Sequence, residues 1–145
     1  MKYKNIKSVA HNLGHSFLSD MNASGVGGGY TIVPELLFAA AESARAPEVR
    51  IDLIARTVSP HSLASAVVQD SVSNYARMLF RLCADQNVDA PAIRSATIAI
   101  AFDYSRTRCT KYDPVVCIQE FDCTVEIVDD RGVLHQARSD HWWKV

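Results

Sequence analysis

The sequence predicts an α+β domain in which about three helices pack on one face of a four-stranded, mainly antiparallel sheet that ends in a C-terminal three-stranded meander. Three observations carry this expectation. Apolar residues recur at helical spacing near the start and again in the middle of the chain. Over most of the last third they alternate with polar residues at a spacing of two. Two of those alternating stretches are joined by Asp130, Arg131 and Gly132, a loop of hairpin length with glycine where a left-handed residue is needed.

The first helix is expected over residues 5–21. At about 100° per residue, Ile6, Val9, Ala10, Leu13, Phe17 and Met21 form one apolar stripe, while Ser8, His11, Asn12, His15 and Ser19 collect on the other side. Solvated faces are commonly filled with Lys and Glu, so this nearly uncharged one is suited to contact another part of the fold, a metal ion or a partner. NASGVGGGY then breaks the helix. A second helix is expected with Pro34 in its first turn, Leu36, Leu37, Ala40 and Ala44 on its apolar side, and an end near Ala46 and Pro47.

Residues Glu48 to Val58 read as one strand, with Val49, Ile51 and Leu53 opposite Arg50 and Asp52. Ser59 is a cap and Pro60 a first residue for a further helix. Its apolar phase rotates between Leu63 and Val67 and the later set Val72, Tyr75, Leu79 and Leu82, which predicts a kink or two helices meeting near Asp70. Strands follow at about 93–104, 115–128 and 133–143. Ile98, Ile100, Phe102 and Tyr104 share one side of the first; Phe121, Cys123, Val125 and Ile127 oppose Glu120, Asp122, Thr124 and Glu126 on the second. The three-residue turn pairs Asp129 with Val133, hence Cys123 with Ser139 and Phe121 with His141. A slip of one residue would drive Arg138 and Asp140 into the core.

A chain of 145 residues, 48% hydrophobic and 21% charged, is the size and composition of a single domain, here 1–145, able to bury its own core. A net charge of −1 supplies no general attraction for nucleic acid or an anionic membrane, and no run approaches the length of a spanning helix. Cys83, Cys109, Cys117 and Cys123 form no CxxC pair, which argues against a zinc ribbon or a thioredoxin-like site. Cys83, Cys117 and Cys123 read as small core residues rather than a disulfide framework. With no signal-peptide pattern after Lys2, Lys4 and Lys7, a cytoplasmic location is expected.

Chemistry-bearing patterns are sparse. His11 and His15 have the i, i+4 spacing that lets two imidazoles reach one metal, but HNLGH lacks the glutamate of HExxH, and no third ligand is nominated beyond His135, His141 or an Asp. GVGGGY follows a helix, has no GK[ST] ending and places Tyr30 where GxGxxG needs glycine, so it reads as a hinge. His61 is expected in a helix's first turn, where the dipole lowers imidazole basicity, yet no GxSxG elbow or cysteine-centred signature supplies a nucleophile. No cofactor motif is present.

Charge is more informative. Arg106, Arg108 and Lys111, near Tyr104 and Tyr112, precede the acidic Glu120, Asp122, Glu126, Asp129 and Asp130, and the chain closes on Trp142 and Trp143. Such charges protect a sheet edge; as complementary patches beside exposed tryptophan they suit recognition of a charged protein. Three cations are few for RNA. The expected function is therefore a non-enzymatic binding protein acting through protein–protein recognition, with immunity proteins and antitoxins as one class of this size and charge. Its contact residues would be Arg106, Arg108, Lys111, Glu120, Asp122, Glu126, Trp142 and Trp143, with the Ser8, His11, Asn12, His15 and Ser19 face as the alternative surface. Two other readings stand beside it: a small metal-dependent hydrolase built on His11 and His15, and a homo-oligomeric ligand-binding module.

Overall fold

The computed structural model describes residues 3–22, 41, 43–109, 111 and 117–144. In chain order these form α1 (Ile6–Asn22), β1 (Glu48–Asp52), β2 (Thr57–Ser59), a 3-10 turn (His61–Leu63), α2 (Ala66–Asp85), a second 3-10 turn (Ala90–Ala92), β3 (Ile93–Cys109), β4 (Cys117–Asp129) and β5 (Leu134–Lys144). The strands make one sheet of order β2-β1-β3-β4-β5, antiparallel at every junction. The class is α+β, as the sequence predicts, but the sheet has five strands rather than four; two α-helices have their bounds among the described residues, and Ala41 and Ser43 are also helical. The helix expected over residues 34–46 falls mostly outside them. Of its described members Ala44, expected on the apolar side, is exposed, while Ala41 and Ala46 are buried.

The extra strand comes from a turn that periodicity does not reveal. Alternation runs unbroken through Leu53, yet the Asp52 carboxylate accepts hydrogen bonds from the backbone N–H groups of Ile54 and Ala55 at 3.0 and 2.9 Å, and Arg56 takes φ 58°. Aspartate capturing the backbone two and three residues ahead is a turn former. The single strand read over residues 48–58 is therefore a hairpin, with Val58 opposite Ile51 and both buried.

A similar correction applies to the next helix. Ser59 ends β2 instead of capping, and the helix N-cap is Ser65, whose hydroxyl accepts from the Val68 N–H at 3.2 Å. The break lies at Ala64 and Ser65, and α2 continues without interruption through Asp70. Leu63 thus belongs to a separate turn, which explains why its apolar phase differs from that of Val72, Tyr75 and Leu79, all buried on α2.

α1 lies over β4 and β5 with α2 beside it. Ile6, Val9, Ala10, Leu13 and Phe17 are almost wholly excluded from solvent against Ile98, Ile100, Val125 and Ile127 from the sheet, and the Phe17 ring meets Tyr75 of α2 at 5.5 Å between centroids. The side chain of Met21 lies outside the described residues. The layers touch at Gly14, where a Cβ would stand 3.1 Å from Val125 Cγ2. A bare Cα at this position lets the helix settle onto the sheet.

The meander has the expected register: Cys123 opposes Ser139 and Phe121 opposes His141, and Gly132 in the turn has φ 84°. β3 continues to Cys109, beyond the expected end at Tyr104, through a register shift between Phe102 and Thr107. Cys109 is disulfide-bonded and stands opposite Cys117 in the ladder. Directly opposed antiparallel residues have Cα atoms about 4.5–5.5 Å apart, inside disulfide reach, a proximity that a spacing of eight residues conceals. The bond overturns the expectation of unlinked cysteines and removes one ground for a cytoplasmic location. Cys83 and Cys123 are free and buried. No described helix is long and apolar enough to cross a membrane.

Candidate functional site

Alternation divides every strand between two faces. Val49, Ile51, Val58, Ile98, Ile100, Phe121, Cys123, Val125 and Ile127 go to the helix side and are buried. On the opposite face the register aligns three rows across the sheet. Glu48 is in line with Ala101, Asp122 and Asp140. Arg50 is in line with Ser59, Ala99, Thr124 and Arg138. Asp52 is in line with Thr57, Thr97, Glu126 and Gln136. An arginine row thus runs between two acidic rows, with five acidic against two basic positions in these three rows.

The arginines bridge outward from their row. Arg50 donates to Glu48 at 2.8 Å and to Glu126 at 3.0 Å, and Arg138 donates to Asp122 at 3.2 Å. The hydrogen bond to Glu48, then the one to Glu126, raises the Arg50 pKa above its ordinary value despite partial desolvation. These are exposed pairs, with 44% and 49% of the Arg50 and Glu48 side chains accessible, so each contributes about 0–1 kcal/mol to stability. What they do is order a charged surface whose surplus in these rows is acidic.

The sequence-derived contact residues separate on this frame. Asp122 and Glu126 are half-buried in the acidic rows. Glu120 and Trp142 register opposite one another at the far end of the β4–β5 ladder, and Trp143 opposes Gln119, one position out of phase. Arg108 opposes Ile118 beyond the β3 shift, Arg106 falls within that shift, and Lys111 is exposed beyond the end of β3. Asp122 and Glu126 therefore meet Arg138 and Arg50, two residues that sequence reading did not select as site residues. The alternation of β1 with the hairpin register was the available signal; it needed the β1–β3–β4 order to become legible.

Asp129 is not part of the acidic surface. Its carboxylate is fully excluded from solvent. Oδ2 accepts from Arg131 Nη2 at 2.8 Å and lies 2.9 Å from His135 Nε2, and Oδ1 accepts from the N–H groups of Arg131 and Val133. The bond from Arg131 is the largest of the effects that hold this carboxyl well below the ordinary carboxylate range, outweighing desolvation. Arg131 also stacks over the Tyr3 ring at 3.6 Å, and Tyr3 donates its hydroxyl to Asp130. This node ties the N-terminal segment to the β4–β5 turn.

On α1, His11, His15 and Ser19 are exposed while Ser8 and Asn12 are half-buried, as the predicted face requires. Among the described residues no group of three His, Cys, Asp or Glu side chains is placed to hold a metal ion. His135, once a candidate third ligand, is engaged with Asp129. His61 is exposed in a three-residue 3-10 turn, not in the first turn of α2, so the dipole argument for it lapses. GVGGGY lies outside the described residues. A groove of about 400 Å³ opens at the C-terminal end of α2 between Phe80, Cys83, Val88 and Pro91, with Asp89 and Asp130 on its walls. Burial raises the Cys83 thiol to about 11, so it is no nucleophile near neutral pH.

No family model, curated protein or solved structure matches this chain.

Proposed function

We propose that the chain is a non-enzymatic protein-recognition domain that binds a basic surface of another protein through the open face of its sheet. One observation carries the reading: the described helices pack on one face of a five-stranded sheet, and the other face arrays more acidic than basic positions in register. A pre-ordered surplus of one sign of charge accelerates encounter with a surface of the opposite sign and disfavours like-charged competitors. Glu48, Asp122 and Glu126 form the centre of the contact, with Glu120 and Trp142 at its meander end. Neutralisation of a target by occupying its surface, as immunity proteins and antitoxins do, is the specific form of this reading, since it needs a stable charged face and no chemistry.

The test is to capture the partner from the source cells, purify it and measure association with two variants. Glu120→Lys, Asp122→Lys and Glu126→Lys together should slow association and reverse its salt dependence, whereas His11→Ala with His15→Ala should leave both unchanged. The opposite pattern would move the site to the polar face of α1.

A further inference from the structure

The outer edge of β5 carries an inference independent of that reading. β5 is an edge strand of 11 residues and, among the described residues, no strand pairs with its far side. Which of its backbone groups face outward follows from the ladder. The Asp129 N–H donates to the Val133 carbonyl at 3.0 Å, and the β4–β5 register then runs without a shift from Val128↔Leu134 to Ile118↔Lys144. Hydrogen-bonded pairs recur at every second residue, so the odd-numbered residues of β5 bond to β4. Leu134, Gln136, Arg138, Asp140, Trp142 and Lys144 therefore direct their N–H and C=O groups away from the sheet.

Long free edges invite pairing, and folded proteins commonly blunt them with proline, a bulge or repeated like charge. β5 contains no proline and no bulge, and its central charges, Arg138 and Asp140, are of opposite sign. Two copies of the strand meeting antiparallel about a two-fold axis through Ser139 would pair Arg138 with the second copy's Asp140, and Asp140 with its Arg138. Both residues are outward-bonding, so the backbone parity for a hydrogen-bonded pair is satisfied at the same register. A shift of two residues one way opposes Arg138 to Arg138, and the other way Asp140 to Asp140, which like-charge repulsion disfavours. Above this edge lies α1, whose nearly uncharged polar face offers little repulsion to its counterpart.

We propose that a second copy of this chain docks on β5, antiparallel and two-fold about Ser139, making one continuous ten-stranded sheet. The open faces of the two copies then merge into a single surface. Such an interface is isologous, each residue of the central pair contacting the other's equivalent.

Sedimentation velocity on the full chain tests this with two variants. Arg138→Glu makes the centre of the strand acidic, and Asp140→Arg makes it basic. Wild type should sediment as a dimer, each variant alone should self-associate roughly tenfold or more weakly, and an equimolar mixture of the two should recover the dimer, because each then opposes the other's charge. A monomeric wild type, variants that dimerise as well as wild type, or a mixture that stays monomeric would each overturn the proposal. Should a variant lose its far-ultraviolet circular dichroism, hydrogen exchange on wild type decides. The Gln136, Arg138, Asp140 and Trp142 amides should exchange more slowly as protein concentration rises, and concentration-independent exchange refutes the edge pairing.

Discussion

Replacing Gly14 by alanine sets two effects of known sign against each other. In an exposed helix the change stabilises by about 1 kcal/mol, because glycine loses more backbone freedom on folding. Here the new Cβ would stand 3.1 Å from Val125 Cγ2, where carbon atoms ordinarily rest about 3.5–4.0 Å apart. Val125 has little room to yield: it is 1% exposed, β-branched, and flanked in the sheet by Ile98 and Ala137. Overpacking of this kind costs about 1–3 kcal/mol, so Gly14→Ala should be destabilising by about 0–2 kcal/mol net. Removing the opposing methyls with Val125→Ala lowers stability by itself, but in that background Gly14→Ala should become stabilising by about 1 kcal/mol. Urea denaturation of the wild type, both single variants and the double variant measures the cycle, with constant m values as the check that only stability has changed. If Gly14→Ala stabilises both backgrounds equally, the close approach of α1 to β4 does not exist and the packing described above is wrong.

Neighbouring positions on β4 should respond in opposite ways. Val125→Asp buries an unpaired charge and should cost about 3 kcal/mol or more, whereas Glu126→Lys, on the open face, should cost about 1 kcal/mol at most through its contact with Arg50; thermal melts separate the two. The Asp129 carboxyl is lowered in the fold relative to the unfolded chain, so its contribution is present at neutral pH and is lost as pH falls below the ordinary carboxylate value toward the folded one. Asp129→Asn should therefore lower stability at pH 7 and flatten its decline on the acid side, which denaturation at a series of pH values will show. Burial pushes the Cys83 and Cys123 thiols up to about 11 and about 12, and neither should react with a thiol reagent at neutral pH until the protein is unfolded, by a timed labelling assay.

Local pattern carried much of this architecture. α1 differs from its expected range by one residue at each end, because five apolar residues at helical spacing have one way to be buried together. The β4–β5 register was legible because Asp130, Arg131 and Gly132 make a turn of defined length, and any slip of one residue exchanges the two faces of the strand. Both are interactions over short sequence distances, where residue type and spacing specify geometry directly.

What the tertiary structure decided are the outcomes of competing local bonds and the pairings between residues far apart in the chain. Whether Asp52 continues a strand or turns it depends on a side-chain hydrogen bond that competes with alternation, and the fifth strand follows from that bond. Arg50 meets Glu126 because β1 lies beside β3 and β3 beside β4, an order that no local spacing encodes. Asp129 reads in sequence as one more surface acid; only the fold brings Arg131 and His135 around it and closes it from water. The apolar periodicity is fixed by where oil must leave water, which every segment expresses for itself, whereas the charged constellation is fixed by which segments become neighbours, which is settled only when the whole core closes.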